Sequence, residues 1–181
     1  MKPIVKILAT ALFVVAIAGT PILAQAVTID YDHSINFLKL KTYTWGSIHA
    51  TDPGVEDRIS IAVNRDMSAR YMNLAGKNAE VTVTAVDASQ NQQEYSDFYA
   101  GLNNLAWQRP WGSGGFLDTE ATLQDVPLNT LIIDMYDTKT QKLLWRGMVN
   151  VPLSGSEDKK DDTIDKAVTQ LIGKYPPKYS K

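Results

Sequence analysis

Two aspartates, Asp134 and Asp137, precede an arginine, Arg146, in one stretch of the chain that could in principle supply acid–base chemistry. Such chemistry needs a second titratable group that converges on the carboxylate across a cleft, and the sequence offers no obvious candidate. The flanking residues alternate between apolar and polar types, and residues 137–141 have the composition of a hairpin turn. Asp134 would then project from the face opposite Ile133, and Asp137 would begin the turn. The pattern favours a structural role for both aspartates.

A second group of candidate ligands, Asp30, Asp32 and His33, lies close together in the sequence. Alternation along a strand would place the two aspartates on the same face. His49 is the only other histidine, and the chain contains no cysteine. Two carboxylates and one imidazole fall short of the usual structural zinc set, so surface carboxylates are the simpler interpretation, and no metal or other cofactor is predicted. A metal-dependent periplasmic hydrolase that uses Asp30, Asp32 and His33 is the alternative function.

An aromatic, glycine-rich segment is the main candidate binding site, with Trp107, Arg109, Trp111 and Phe116 around Gly-Ser-Gly-Gly at 112–115. Rings and a guanidinium group on flexible backbone can stack on a glycan, a peptide or another subunit. Packing of the rings into the edge of the core is an equally good interpretation. The serine lacks the Gly-x-Ser-x-Gly pattern of a nucleophile elbow, and no phosphate-binding loop is present. We therefore predict a non-catalytic binding or interaction module, with an envelope protein, glycan or lipid as its partner.

The first 26 residues have the parts of a secretory signal peptide. Two lysines give a basic start, residues 7–18 form an uncharged apolar run, and residues 24–26 have the sequence Ala-Gln-Ala. The apolar run is shorter than the roughly 20 residues that a membrane-spanning helix needs, so we expect cleavage after Ala26. The mature chain, residues 27–181, would be a single α+β domain that does not span the membrane. Its predicted location is the periplasm or the medium.

Composition limits the partners of this predicted mature domain. The whole chain has 18 basic and 20 acidic residues, and loss of the two signal-segment lysines leaves 16 against 20, a net charge of −4. Nucleic acid and anionic membranes select clustered Lys and Arg, so neither is expected as a partner. Without cysteine the domain has no disulfides, and it must be stable through burial of its core.

Strands are predicted where apolar and polar residues alternate, at 27–32, 42–45, 80–86, 130–136 and 142–151. Gly147 is expected where a neighbouring bulky ring or a bulge needs room. Strands with short connections favour antiparallel neighbours. The predicted fold is an α+β two-layer sandwich, with a mainly antiparallel sheet of about five strands and two helices on one face.

Helices are predicted where apolar residues recur every three or four positions. One begins at Pro53 after a capping aspartate and runs towards Gly76, with Tyr71 in its apolar stripe; the other covers 164–175. The charged run at 157–162 is predicted to be a solvated loop that leads into the second helix. Residues 97–127 show little periodicity and are predicted to be irregular.

Several motifs extend through nearly all of the predicted mature chain: Asp-Tyr-Asp at 30–32, Phe-x-x-Leu-Lys-Thr-Tyr-Thr-Trp at 37–45, Thr-Leu-Ile-Ile-Asp-Met-Tyr-Asp at 130–137, Leu-Trp-Arg-Gly at 144–147 and a last helix that ends in Tyr-Pro-Pro. In combination they resemble the bacterial envelope family called domain of unknown function 4136. The resemblance implies an exported domain of Gram-negative-type bacteria, frequently a lipoprotein, with no established activity and no site residues to transfer. This chain lacks the lipoprotein cysteine, which favours a free periplasmic or secreted domain.

Overall fold

The computed structural model describes residues 27–88, 93–102, 126–152 and 156–175. In these ranges the strands are β1 (Val27–Tyr31), β2 (Thr42–Ala50), β3 (Asn73–Leu74), β4 (Val81–Ala88), β5 (Thr130–Asp137) and β6 (Leu143–Asn150). The helices are α1 (Pro53–Ser68), α2 (Gln93–Gly101) and α3 (Glu157–Ile172). The strands form one sheet in the order β1-β6-β5-β4-β2-β3. The predicted α+β class is confirmed.

The sheet is mixed rather than mainly antiparallel. Strand β1 pairs with β6, β6 with β5, and β5 with β4, all antiparallel. Strand β2, however, is parallel to both β4 and β3. The chain leaves β2 through α1 before it returns to the sheet, and a parallel neighbour needs a crossover of this kind. The predicted five-strand, mainly antiparallel sheet is therefore corrected to a mixed sheet that has six strands and two parallel pairings within the described ranges.

Helices α1 and α3 cover one face of the sheet and form the main core with it. The inward residues of the strands are those at alternate positions, as the pleat requires. This core is built around residues such as Ile59, Val63 and Met67 from α1, Val168 and Leu171 from α3, and Val83, Ile133, Met135 and Trp145 from the sheet. No helix among the described residues is long and apolar enough to cross a membrane.

Gly147 shows why one position of β6 has no side chain. A Cβ atom there would lie 2.7 Å from Cδ2 of Leu171 and 3.0 Å from Cζ2 of Trp145, and Cη2 of the same ring would be closer still. Both distances are well below ordinary van der Waals separation, and both neighbours are fully buried. The prediction that this glycine makes room for a bulky ring is confirmed.

Helix α1 begins as predicted and ends earlier. Asp52 accepts a hydrogen bond from the backbone N–H of Gly54 at 2.9 Å, which is the expected N-cap. The helix stops at Ser68, because the chain then turns to place β3 beside β2. Tyr71 lies in this turn with a φ of 61° and is exposed, so its predicted place in the apolar stripe is wrong.

Helix α3 begins earlier than predicted, since the charged run at 157–162 forms its first turns. Glu157 and Asp158 lie in the first turn, where the helix dipole favours negative charge. Farther along, Asp165 pairs with Arg58 of α1 and so joins the two helices. The predicted solvated loop is therefore wrong, and its acidic residues stabilise the start of a helix.

The two predicted helices, α1 and α3, lie on one face as expected, but a third helix that was not predicted, α2, lies on the opposite face of the sheet. Its apolar side packs against strand residues that point away from the main core and forms a second cluster, composed of Val86, Tyr95, Tyr99, Val126 and Ile132 with Phe98, Leu102 and Met148. The segment predicted to be irregular from residue 97 thus begins inside a helix. The described part of the chain has three layers where α2 lies over the strands.

Strand β2 continues past its predicted end at Trp45. The pairing with β4 shifts between Trp45 and Ile48, and this bulge allows the strand to extend to Ala50. Gly46, the first residue after the predicted end, is a position of close approach, because a Cβ there would lie 2.7 Å from the methyl group of Thr82.

Candidate functional site

Two buried tyrosines fix α2 against the sheet. The hydroxyl of Tyr95 donates to the carbonyl of Thr130 at 2.7 Å and accepts from the N–H of the same residue at 3.1 Å. The hydroxyl of Tyr99 donates to Oδ2 of Asp134 at 3.0 Å. Because all three bonds connect to β5, the helix has a defined position across the strands.

Asp134 forms a buried ion pair with Arg146 beneath α2. The guanidinium donates from Nε to Oδ1 at 2.6 Å and from Nη2 to Oδ2 at 2.7 Å, a two-bond geometry that fixes both side chains. The Arg146 and Asp134 side chains are 5% and 1% exposed. Tyr136 adds a hydrogen bond to Oδ2 at 3.2 Å. The carboxylate is thus occupied by groups of the protein itself, which fits a structural role.

The ion pair also determines the charge state of its neighbours. Burial raises the pKa of the Tyr99 and Tyr136 hydroxyls well above 10.0, and the negative charge of Asp134 adds to the effect. Burial alone would lower the pKa of Arg146, but attraction by Asp134 outweighs it and raises that pKa. The guanidinium lies 5.5 Å from the centre of the Tyr99 ring, in cation–π contact. The tyrosines stay protonated and Arg146 stays charged near neutral pH.

A cleft of about 880 Å³ opens between α2 and strands β2, β4 and β5, and we name it the α2 cleft. Its volume falls in the range of about 300–1,000 Å³ that small-molecule sites occupy. The strands and the turn after β5 contribute residues with hydroxyl groups: Thr82, Thr84, Tyr136 and Thr138. The end of α2 contributes two apolar side chains, Phe98 and Leu102. The described lining is mostly polar, with a small apolar patch at the end of α2.

Three carboxylates line the α2 cleft: those of Glu94, Asp97 and Asp137. Backbone N–H groups, first that of Thr140, lower the pKa of Asp137, so it is ionised near neutral pH. No Lys or Arg side chain from the described part of the chain is in the lining, which gives the cleft a negative charge. The described lining also contains one imidazole, that of His49. Its ring stacks on that of Phe98, with 6.4 Å between the centroids.

Thr84 supplies an unusual polar group to the cleft. Its side chain is 3% exposed, and Oγ1 has no hydrogen-bond partner among the described residues. By comparison, the neighbouring hydroxyl of Thr82 bonds that of Thr138 at 3.0 Å. An unpaired buried hydroxyl costs roughly 1–3 kcal/mol, which a bound polar group would recover.

Asp87 is a second buried group without a full set of partners. The residue is 2% exposed, and its Oδ1 has no hydrogen-bond partner within the four described ranges. Burial raises its pKa to about 6, and the nearby charge of Glu94 adds to the increase. Asp87 is not part of the cleft lining, but Glu94 connects its ionisation to the cleft.

The structure separates the roles predicted for the aspartates of the hairpin. Asp137 accepts hydrogen bonds at Oδ1 from the N–H groups of Lys139 and Thr140, at 3.1 and 2.7 Å, so its turn role is confirmed. Asp134 lies on the face opposite Ile133, as predicted. The partner of Asp134 was missed in the sequence, although Arg146 is directly opposite it in the strand register.

Asp30, Asp32 and His33, the residues of the alternative metal-dependent hydrolase, have partners of their own in the structure. Asp30 is directly opposite Arg146 in the β1–β6 register, and burial raises its pKa. Asp32 pairs with Lys142 and accepts a hydrogen bond from the N–H of Ser34 at 2.8 Å. The ring of His33 packs on that of Tyr31 at 4.4 Å between centroids. Within the described ranges no cluster of three or more His, Cys, Asp or Glu could hold a metal ion.

The other predicted site residues, Trp107, Arg109, Trp111 and Phe116, lie outside the described residues, as do the predicted signal segment and its cleavage site at Ala26. Their roles stay predictions. The cleft-forming helix α2 was missed, although the sequence carried a signal for it. Its apolar residues recur at helical spacing: Tyr95, Phe98, Tyr99 and Leu102.

Comparison with known proteins gives a family and a fold. Residues 27–177 match the family described as Domain of unknown function (DUF4136). No curated protein matches the chain. A PDZ domain protein from Parabacteroides distasonis ATCC 8503 is similar at 16% identity and a TM-score of 0.51, over 87% of this chain and 36% of that chain. This chain thus spans about a third of that structure, and the likeness shows a shared fold alone.

The chain is also similar to the PelC dodecamer from Paraburkholderia phytofirmans, at 10% identity and a TM-score of 0.43, over 82% of this chain and 98% of that chain. The family match, in contrast, covers most of the sequence and includes every described residue. The chain therefore belongs to the DUF4136 family.

Proposed function

We propose that the protein is an exported envelope domain that binds a ligand in the α2 cleft and does not catalyse a reaction. The export part rests on the signal-like first 26 residues. It is supported by the family match, which begins at residue 27, directly after the expected cleavage site. The proposed location is the periplasm or the medium, and the proposed partner is a component of the envelope.

The observation that carries the binding role is the α2 cleft itself. The helix that forms one side of it is fixed by Tyr95 and Tyr99, so the cleft is formed before any ligand arrives. A preformed site binds with less loss of conformational entropy than one that must be ordered. The unpaired hydroxyl of Thr84 gives such a ligand a buried polar contact.

The described lining gives no support to catalysis. Nδ1 of His49, the imidazole of the cleft, lies 3.8 Å from Oε1 of Glu56. Because Glu56 is not a lining residue, this contact is directed away from the described lining of the cleft. The buried Asp134 carboxylate is occupied by Arg146 and two tyrosines. A nucleophile with an adjacent base, or an acid and a base that converge on one point, is what catalysis would require. Binding is therefore the function that the geometry supports best.

A pair of glycines provides a matched test of the cleft. A Cβ on Gly101, which lines the cleft, or on Gly76, which does not, would meet no atom within 4 Å. Gly101→Trp should fill the cleft without disturbing the core, and Gly76→Trp should add the same ring elsewhere. We expect native mass spectrometry of protein isolated from the periplasm to show a retained ligand in the wild type and in Gly76→Trp.

In the same experiment Gly101→Trp should be recovered without the ligand. Equal retention by both tryptophan variants would show that the ligand binds outside the α2 cleft. Absence of any ligand in all three proteins, with the wild type folded, would contradict binding of a small ligand by this domain.

A further inference from the structure

We propose that the α2 cleft selects a small organic cation, with a primary ammonium group on an apolar or ring-shaped body. This inference rests on the proposed binding function and adds the chemical class of the ligand. It depends on three independent features of the cleft: its charge, its apolar surface and its buried hydroxyl group.

Charge is the first feature. Asp97 and Asp137 both line the cleft, and Glu94 lies one helical turn before Asp97 on α2. The closest lysine in the sequence to Asp137 is Lys139, which belongs to the turn and is not a lining residue. An anionic ligand would meet only like charge in the described lining, whereas an ammonium group would be attracted from both sides of the cleft.

Apolar surface is the second feature. Phe98 in α2 and Leu102 directly after it are four positions apart, which places them on the same side of the helix, and both line the cleft. The rings of Phe98 and His49 both line the cleft, with 6.4 Å between their centroids and 26° between their planes. Such a surface buries a hydrocarbon chain or the face of a sugar ring, and an aromatic face also attracts a cation.

Thr84 is the third feature, and it points to a polar ligand independently of the carboxylates. Thr84 lines the cleft, and its buried Oγ1 has no hydrogen-bond partner among the described residues. A hydroxyl oxygen accepts a hydrogen bond, and an ammonium group has three N–H donors. A ligand with one ammonium group can therefore satisfy Thr84 and a carboxylate at the same time.

The test compares amines with neutral molecules of the same shape. The probes are n-pentylamine against 1-pentanol and glucosamine against glucose, titrated into the 15N-labelled mature protein. We expect both amines, or one of them, to shift the backbone amides of cleft residues. Comparison of the alkyl pair with the sugar pair shows whether the cleft prefers an ammonium group on a hydrocarbon chain or on a sugar ring. Affinity should fall in 0.5 M NaCl, because surface charge attraction is screened.

Charge-removing variants complete the test. Asp97→Asn and Glu94→Gln should each weaken amine binding by about two- to five-fold, and the double variant by about ten-fold, as expected for partly exposed ion pairs. Asp162→Asn removes an exposed carboxylate from α3, on the other face of the sheet, and should leave the affinity unchanged.

Three results would overturn the inference: neutral probes that bind the cleft as tightly as the amines, amine affinity that is unchanged in the double variant, or no cleft shifts with any amine. None of these results would decide whether the cleft binds a ligand at all. That question is tested by the comparison of ligand retention in the wild type and Gly101→Trp, so the two proposals can fail separately.

Discussion

Asp87 gives the protein a pH-dependent stability that can be worked out from its surroundings. The residue is 2% exposed, and its pKa is raised from 3.8 to about 6, first by burial and then by the charge of Glu94. In the unfolded chain the carboxyl ionises near its ordinary value, so between about pH 4 and pH 6 the folded state holds more protons. The stabilising contribution of protonated Asp87 is therefore present below about pH 4 and is lost as the pH rises through about 6.

The size of the effect follows from the shift in pKa. An increase of about two units, at about 1.36 kcal/mol per unit, means that ionisation of folded Asp87 costs about 3 kcal/mol at pH 7. Part of this cost is already present at pH 4, where the unfolded carboxyl is partly ionised. Asp87→Asn cannot ionise. Relative to the wild type, the free energy of unfolding of this variant should therefore increase by about 2 kcal/mol between pH 4 and pH 7, so the variant becomes more stable relative to the wild type as the pH rises.

Urea unfolding, followed by tryptophan fluorescence from pH 4 to pH 7, measures this difference. Carboxyls whose pKa values are lowered, such as Asp32 and Asp66, act equally in both proteins and cancel. Glu94→Gln should give an intermediate curve, because burial is the larger cause of the Asp87 shift. If the free energies of unfolding of wild type and Asp87→Asn changed in parallel with pH, the argument that burial raises the pKa of Asp87 would be refuted.

Other positions give equally specific expectations. Asp134→Asn should lower the free energy of unfolding by about 3–5 kcal/mol, because it leaves Arg146 charged and buried. The double variant Asp134→Leu with Arg146→Met removes both charges, and its free energy of unfolding should fall by clearly less in the same urea titration. Gly147→Ala should cost about 1–3 kcal/mol by overpacking against Leu171, with thermal unfolding as the measurement; an unchanged melting temperature would contradict the close approach. Intact-mass analysis of the periplasmic protein should show Val27 as the first residue, and a retained segment 1–26 would contradict the predicted cleavage.

Local patterns were enough to predict much of the fold from sequence. Alternation predicted β1, β5 and β6 to within a residue or so, because one face of each strand is buried and the other is polar or paired. The Asp137 turn and the close contact at Gly147 followed from the chemistry of single residues. These features depend on neighbours in the sequence, or on one dense contact, and such information is present in the chain itself.

Features that depend on distant parts of the chain were not predicted. Strand β3 has two residues, too few for a periodic signal, and its parallel pairing with β2 depends on the path of α1. The end of α1 is fixed by the same pairing, which is why Tyr71 was misplaced. Tyr99 reaches Asp134 across 35 positions, so the role of this tyrosine in the ion-pair network has no local signature.

Helix α2 is a different case. The helical spacing of its apolar residues is present in the sequence, but the segment predicted to be irregular begins in the middle of it. The apolar stripe starts at Tyr95, two residues before the segment 97–127 that was predicted to be irregular. The polar residues on the other side of the helix are typical of a loop as well. The cleft then follows from tertiary structure: the β2 bulge, the hairpin and α2 meet only in the folded protein.

Recognition through the α2 cleft can be tested most directly by photo-cross-linking in the living cell. A benzophenone side chain at Ser47, which lines the cleft, is compared with the same group at Asp162 on α3. We predict a mass-shifted adduct from position 47 after irradiation and none from position 162. An adduct from position 162 with none from position 47 would contradict the α2 cleft as the binding site.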